Sequence, residues 1–336
     1  MRRWILKAGV KGLDQLLMEK ASVPEPGPGE VRVRMRAVSL NYRDQSILQR
    51  QVTEDLIPVS DGAGEIDAIG GSVTQWSIGD RVTSLFFKDW VDGPPVPSMG
   101  AGSGSPGEQG MLAEYVILKA DRIASAPKTL TFVEASTLPC AALTAWTALN
   151  GNRPYVRRVG KGDKVLVLGT GGVSLFALLL AKSAGAEVIG TSSQDDKLER
   201  LRSLGAVDGV NYKTIPNWGE VIFERTGGLR SVVNPVGGAA LDQSIAAVAY
   251  GGEIANVSIL NQAQTPPNLM FLMMKGASIR GIAVGGAAAY GDLVNAVDSQ
   301  GIKPPIDRVL PFEQAKEAYQ SAVAPGVFGK IVIEIA

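Results

Sequence analysis

Lys164-Val165-Leu166-Val167-Leu168-Gly169-Thr170-Gly171-Gly172-Val173-Ser174-Leu175-Phe176-Ala177-Leu178-Leu179-Leu180-Ala181 decides the fold. Residues 164–168 form a short apolar run of the kind that makes a strand buried on both faces, and 173–184 read as an apolar helix. Between them, Gly169 to Ser174 has the spacing of a dinucleotide-binding loop, with serine at the last glycine position. In such a loop Gly169 permits the tight turn and Gly171 lets the backbone approach a pyrophosphate. The helix N-terminus beyond offers unpaired N–H groups and a partial positive charge. Thr170, Gly172 and Val173 complete the candidate contacts, and Ser174 is small enough for the helix to pack on the strand. The chain has 40 glycines, so the pattern gains its weight from lying between a strand and a helix.

The next strand, Glu187-Val188-Ile189-Gly190, ends at Thr191-Ser192-Ser193. A site for NAD normally puts a carboxylate here, to hold the ribose hydroxyls. Hydroxyls at Ser192 and Ser193, with Lys197 one turn into the following helix, suit a 2′-phosphate instead. The cofactor expected is NADP(H). The serines also suit a cap for the helix over 195–204, a role compatible with phosphate binding.

Further strands are expected at 207–211, 231–234, 253–257 and 278–282, with helical segments between several of them. This alternation predicts an α/β fold with a doubly wound parallel sheet. Towards the N-terminus the rhythm differs. Val31 to Val38 alternates strictly between apolar and polar residues, and 63–69, 81–83 and 113–118 are further short strand candidates. They predict a mostly antiparallel β unit. Residues 92–110 carry four prolines and six glycines and read as a long irregular loop. Helices are expected at 293–297 and 312–323, and a last strand at 330–333.

The chain has 336 residues, length for two domains. It has 33 basic and 33 acidic residues, which argues against a nucleic-acid or anionic-membrane partner and leaves a small-molecule substrate. With no histidine there is no Ser-His-Asp triad, no imidazole metal ligand and no imidazole proton shuttle. With one cysteine there is no internal disulfide and no thiolate-rich metal site. The single thiol and the absence of a signal-like apolar run after Met1 lead to the expectation of a cytoplasmic protein.

The glycine loop, Thr191-Ser192-Ser193, Leu143-Thr144-Ala145-Trp146, Asn41-Tyr42-Arg43-Asp44, Ser60-Asp61-Gly62-Ala63-Gly64 and Phe328-Gly329-Lys330-Ile331-Val332-Ile333 occur in a telling order. In that order the chain resembles the medium-chain dehydrogenases/reductases, along essentially its whole length. Within them it is similar to the zinc-free branch of quinone oxidoreductases and enoyl reductases. The resemblance implies a GroES-like catalytic domain over 1–126 and 285–336, a Rossmann dinucleotide-binding domain over 127–284, and a homodimer formed through the dinucleotide domains. The zinc-dependent relatives hold their metal with a Cys, a His-Glu pair and a second Cys. Here those positions read Asn41, Ser60-Asp61 and Cys140, and one thiol without imidazole makes no tetrahedral zinc site, so no metal is expected.

The resemblance implies hydride transfer from a nicotinamide. Without a Lewis acid to stabilise an alkoxide, an activated C=C bond or a quinone is the favoured acceptor, because it delocalises the charge and needs only hydrogen-bond donors. Asn41 and Tyr42 are the candidate donors, with Asn41 also able to meet the nicotinamide ribose. Both also suit local loop bonding. Arg43 and Asp44 are expected to pair with each other. By resemblance, Thr144 lies near the nicotinamide, Tyr212 beside the 2′-phosphate and Lys330 near the cofactor. For these three the plain alternatives are helix packing, strand-end packing and a solvated strand position. Two other functions remain open: a zinc-free alcohol dehydrogenase or ketone reductase, and a crystallin-like protein that binds NADPH without catalysis.

Overall fold

Among the described residues, six parallel strands, numbered in chain order, run across one sheet in the order 3-2-1-4-5-6. They are Lys164–Leu168, Glu187–Ser192, Asp208–Asn211, Leu229–Asn234, Val248–Asn256 and Ser278–Gly281. Strand Lys164–Leu168 is apolar and buried from Val165 onward because neighbours flank both its edges and helices cover its faces. The helices Gly172–Ser183 and Asp195–Leu204 connect the first three strands. Leu166, Leu168, Ile189, Val210, Val232 and Ile254 meet in the core of this unit. Strand 1 pairs with strand 2 from Lys164↔Glu187 to Leu168↔Thr191, so the glycine loop and the Thr-Ser-Ser segment leave the same end of the sheet. The strand expected to end at Gly190 continues through Ser192.

The computed structural model describes residues 1–258 and 266–336. They divide into two units, Met1–Ala141 with Gly285–Ala336, and Ala142–Val284. The chain first crosses between units at 141, later than the expected 126. Residues 127–141 stay with the β unit for physical reasons. Helix Phe132–Ala135 packs on strands Glu30–Leu40 and Asp61–Ile69, and Asp298 accepts the backbone N–H groups of Lys128 and Thr129 at 3.1 and 2.9 Å.

The β unit is built on a sheet ordered 306–311, 330–334, 30–40, 61–69, 81–84 and 123–125, with Tyr115–Lys119 pairing the first half of 30–40. Pairing is antiparallel except between Ile306–Pro311 and Lys330–Glu334. A hairpin of Arg2–Leu6 and Leu16–Lys20 adds strands that the alternation pattern did not reveal. Between 92 and 110 the only regular element is a short 3-10 turn, Pro97–Met99. Among the described residues, no helix is long and apolar enough to cross a membrane.

Candidate functional site

The dinucleotide unit presents its loop as the sequence requires. Gly169 has φ +78°, a conformation that L side chains rarely adopt, and donates its N–H to Thr191 O at 3.0 Å. Gly171 is the N-cap of helix 172–183. A Cβ at Gly169 or Gly171 would meet nothing within 4 Å, so both face open space beside the helix N-terminus. The first turn of that helix, with Gly172 and Val173, has N–H groups without intrahelical acceptors, and this cradle fits a pyrophosphate. Ser174 is buried, and its hydroxyl donates to Leu168 O at 2.7 Å, tying the helix to the strand. Thr170 is buried beside it.

At the end of strand 2 the two serines differ. Ser192 is 3% exposed, and its Oγ accepts the Gln194 N–H at 3.2 Å. Gln194 is the N-cap of helix 195–204, so neither serine caps it. Ser193 and Lys197 are half-buried. Tyr212, 43% exposed, donates its backbone N–H to Ser192 O at 3.0 Å, which brings Tyr212 beside the serines. Thr144 is buried within helix Leu143–Asn150.

In the β unit, sheet register assembles a second group. Strand 30–40 pairs Leu40↔Ile331 on one side and Ser39↔Asp61 on the other. The ends of three adjacent strands therefore bring Lys330, Asn41 and Ser60-Asp61 together. Lys330 is 3% exposed, which excludes a solvated position, and its Nζ donates to Leu40 O and Asn41 Oδ1, both at 2.5 Å. Asn41 Nδ2 lies 3.4 Å from Ser60 Oγ, Ser60 Oγ donates to Asp61 Oδ1 at 2.7 Å, and the Cys140 N–H donates to Asp61 Oδ2 at 3.0 Å. Val59, just before Ser60, has φ +74°, a strained setting for a β-branched residue.

Burial pushes the Asp61 carboxyl above its ordinary range, and the Lys330 ammonium opposes that shift. Burial likewise lowers Lys330, with Asp61 opposing. Burial and the Asp61 charge raise the Cys140 thiol, which sits in the short turn Leu138–Ala142.

Tyr42 is 59% exposed at the first position of helix Tyr42–Leu48. The expected Arg43–Asp44 pair does not form, because neighbouring helical residues project about 100° apart. Asp44 Oδ2 accepts the Asn41 N–H at 2.7 Å. Arg43 reaches the 92–110 loop, donating to Ser103 O at 2.7 Å, Ala101 O at 2.9 Å and Ser105 Oγ, and lies 4.7 Å over the Phe86 ring. The sequence reading missed this clamp, for which no local signal exists. It also weighed Ser60-Asp61 only as replaced metal ligands.

The donors at the zinc positions do not fit the metal. They are an amide, a hydroxyl, a carboxylate and one thiol, with no imidazole, a donor set unlike the Cys and His ligands that make a tetrahedral zinc site. The Asn41 oxygen is already bonded to an ammonium. Among the described residues no group of three or more His, Cys, Asp or Glu side chains is placed to hold a metal ion.

Residues 172–299 match the zinc-binding dehydrogenase family model, and residues 27–128 match the alcohol dehydrogenase GroES-like domain. A zinc-type alcohol dehydrogenase-like protein of Schizosaccharomyces pombe is 39% identical over 99% of both chains. A quinone oxidoreductase of Pseudomonas aeruginosa is 30% identical over 75% of this chain and 72% of its own. The crystal structure of an NAD-dependent alcohol dehydrogenase superposes with a TM-score of 0.88 at 31% identity, covering 100% of both chains. The chain belongs to the medium-chain dehydrogenase/reductase superfamily, as a GroES-like domain joined to a Rossmann domain.

Proposed function

We propose that the protein is an NADPH-dependent, zinc-independent reductase acting on an activated C=C bond, in an enone or enoyl substrate, or on a quinone. The observation that carries this reading is the buried ammonium of Lys330 on Asn41 Oδ1, where zinc-dependent relatives carry a metal ligand. With Oδ1 occupied by the ammonium, the Asn41 side chain has its amide N–H groups to offer. The bound cofactor supplies a hydride. Asn41 Nδ2 donates to the acceptor oxygen, where negative charge builds as reduction proceeds, and a delocalised enolate or hydroquinone anion is a charge that such a donor can stabilise. Ser193, Lys197 and Tyr212 hold the 2′-phosphate, and the Gly169–Val173 loop holds the pyrophosphate. Tyr42, exposed beside Asn41, serves as a further donor.

The 31% identity to an NAD-dependent alcohol dehydrogenase favours a second reading, a zinc-free dehydrogenase of alcohols or ketones. One panel separates the two: oxidation of NADPH and NADH with a quinone, an enone, a simple ketone and an aldehyde, beside elemental analysis for zinc. The expected result is NADPH oxidation with an enone or quinone, no stoichiometric zinc and no loss of activity to a chelator. Turnover of only the unconjugated ketone or aldehyde would overturn the reading, and turnover of none would favour a non-catalytic binding role.

We also propose a homodimer. Strand Ser278–Gly281 is one edge of the sheet of the dinucleotide unit among the described residues, and helix Leu269–Met274 exposes Leu269, Met270, Met273 and Met274. An exposed apolar helix face and a strand that is a sheet edge among the described residues suit a second copy of the same chain. Light scattering should give twice the chain mass, and a monomer at micromolar concentration would overturn it. The setting proposed is cytoplasmic, in keeping with the single thiol.

A further inference from the structure

We infer that Lys330 is a positioning residue, locking the Asn41 side chain so that its amide N–H groups, and not its oxygen, are offered to the acceptor oxygen of the substrate. This rests on the reductase reading above. An asparagine amide presents an oxygen on one side and an NH2 on the other, and its orientation is decided by its partners. The ammonium of Lys330 is a donor without acceptor capacity, so the atom 2.5 Å from it must be Asn41 Oδ1. The other end is fixed too. Ser60 Oγ gives its own proton to Asp61 Oδ1, which leaves it as an acceptor for Asn41 Nδ2. Asp61 is fixed in turn by the Cys140 N–H.

Every proton in the chain Lys330, Asn41, Ser60, Asp61 therefore points one way, from the buried cation to the buried carboxylate. Such a chain polarises each of its bonds in the same sense. Asn41 Nδ2 has two hydrogens and Ser60 takes one of them. The Asp61 carboxylate draws on the same NH2 group, and Asn41 is half-buried, so the edge of this side chain that a ligand meets is the N–H edge and not the oxygen held by Lys330. A flipped amide would present oxygen to the developing oxyanion, a repulsive contact. The inference thus favours a substrate whose oxygen gains negative charge as reduction proceeds, a carbonyl or quinone oxygen. A contact between Lys330 and the cofactor, the role implied by family resemblance, predicts a different response to mutation.

Four variants test this: Lys330→Met, Lys330→Gln, Asn41→Ala and the double variant Asn41→Ala/Lys330→Met, with enone or quinone as substrate. Lys330→Met should lower kcat as far as Asn41→Ala does, roughly ten- to hundredfold, with KM for NADPH within about twofold. Lys330→Gln keeps an N–H donor for Asn41 Oδ1 and should hold kcat within about threefold of wild type. The double variant should be no slower than Asn41→Ala, because the lysine acts through the asparagine. Additive losses, a glutamine as impaired as the methionine, or a rise in KM for NADPH at unchanged kcat would overturn the inference.

If Lys330→Met does not fold, Asn41→Asp serves, since it keeps an oxygen for Lys330 and has no N–H. It should lose as much kcat as Asn41→Ala, and wild-type kcat would overturn the inference. A substrate-free measurement keeps this separable from the reductase reading. The Asn41 side-chain 15N–1H resonances, assigned by their loss in Asn41→Ala, should form one sharp pair in wild type and Lys330→Gln. They should broaden or double in Lys330→Met. Unchanged resonances there would overturn the inference, whatever the substrate panel shows. In Asn41→Asp, with the amide gone, a Ser60 15N–1H resonance that does not move would do the same.

Discussion

Asp44 Oδ2 accepts the backbone N–H of Asn41 at 2.7 Å, while Asp44 Oδ1 is buried without a partner. The carboxylate thus closes the first turn of helix 42–48 and steadies the backbone that carries the Asn41 amide. It does so half-satisfied, in a setting shared with Arg43, Asp61 and Lys330.

Burial pushes the Asp44 carboxyl up to about 6, against the opposing pull of Arg43. In the unfolded chain an aspartate titrates near ~3.9. Between these values the folded protein holds the proton more tightly than the unfolded chain does. Stability therefore falls as pH rises through that window and is lowest above it, by about 3 kcal/mol for this group alone. Urea unfolding from pH 4 to 7.5 should show the fall in wild type, and Asp44→Asn should remove that part of the slope. Parallel curves for the two proteins would show that Asp44 does not titrate in this range.

Arg43 clamps a loop that has almost no regular structure of its own. Arg43→Ala should cost on the order of 2 kcal/mol and speed proteolysis within 92–110. Arg43→Lys should not rescue it, because an ammonium cannot reproduce the fork onto Ala101, Ser103 and Ser105. Limited proteolysis followed by mass spectrometry reads the cleavage sites directly, and unchanged cleavage in Arg43→Ala would refute the clamp.

Gly171 faces open space and has an ordinary φ of −79°. Gly171→Val should therefore fold, with stability within about 1 kcal/mol of wild type. Its dinucleotide binding should weaken roughly tenfold or more, because the new side chain fills the pyrophosphate cradle. Calorimetric titration with NADPH, beside a thermal melt of the apoprotein, separates the two effects. Tight binding by the variant would place the pyrophosphate elsewhere.

Cofactor preference should turn on Ser193 and Lys197. Lys197→Ala should weaken NADPH by roughly ten- to hundredfold and leave NADH nearly unchanged. Ser193→Asp should shift preference toward NADH. The equivalent change at buried Ser192 should chiefly destabilise the fold, since a carboxylate there loses its hydration. Dissociation constants for both cofactors decide it, and equal losses for NADPH and NADH in Lys197→Ala would refute a 2′-phosphate pocket at this position.

The sequence by itself determined what depends on neighbours along the chain. The apolar run 164–168, the glycines after it and the helix beyond specify a dinucleotide loop, because turn conformation, helix polarity and strand burial are set within about twenty residues. The absence of histidine likewise excluded whole classes of chemistry. Only the tertiary structure decided which way the polar groups face. Lys330 lies nearly three hundred residues from Asn41, and sheet register across strands 330–334, 30–40 and 61–69 brings it there with Ser60 and Asp61. The same holds for Arg43, which sequence adjacency suggested would pair with Asp44 and which instead reaches the 101–105 backbone. Ser192 and Ser193 are adjacent in the chain, yet one lies buried and the other half-buried, since the strand, buried from Val188 onward, ends at Ser192 and Ser193 lies beyond it. Hydrogen-bond direction and burial are properties of packing, and packing is settled by residues far apart in the chain.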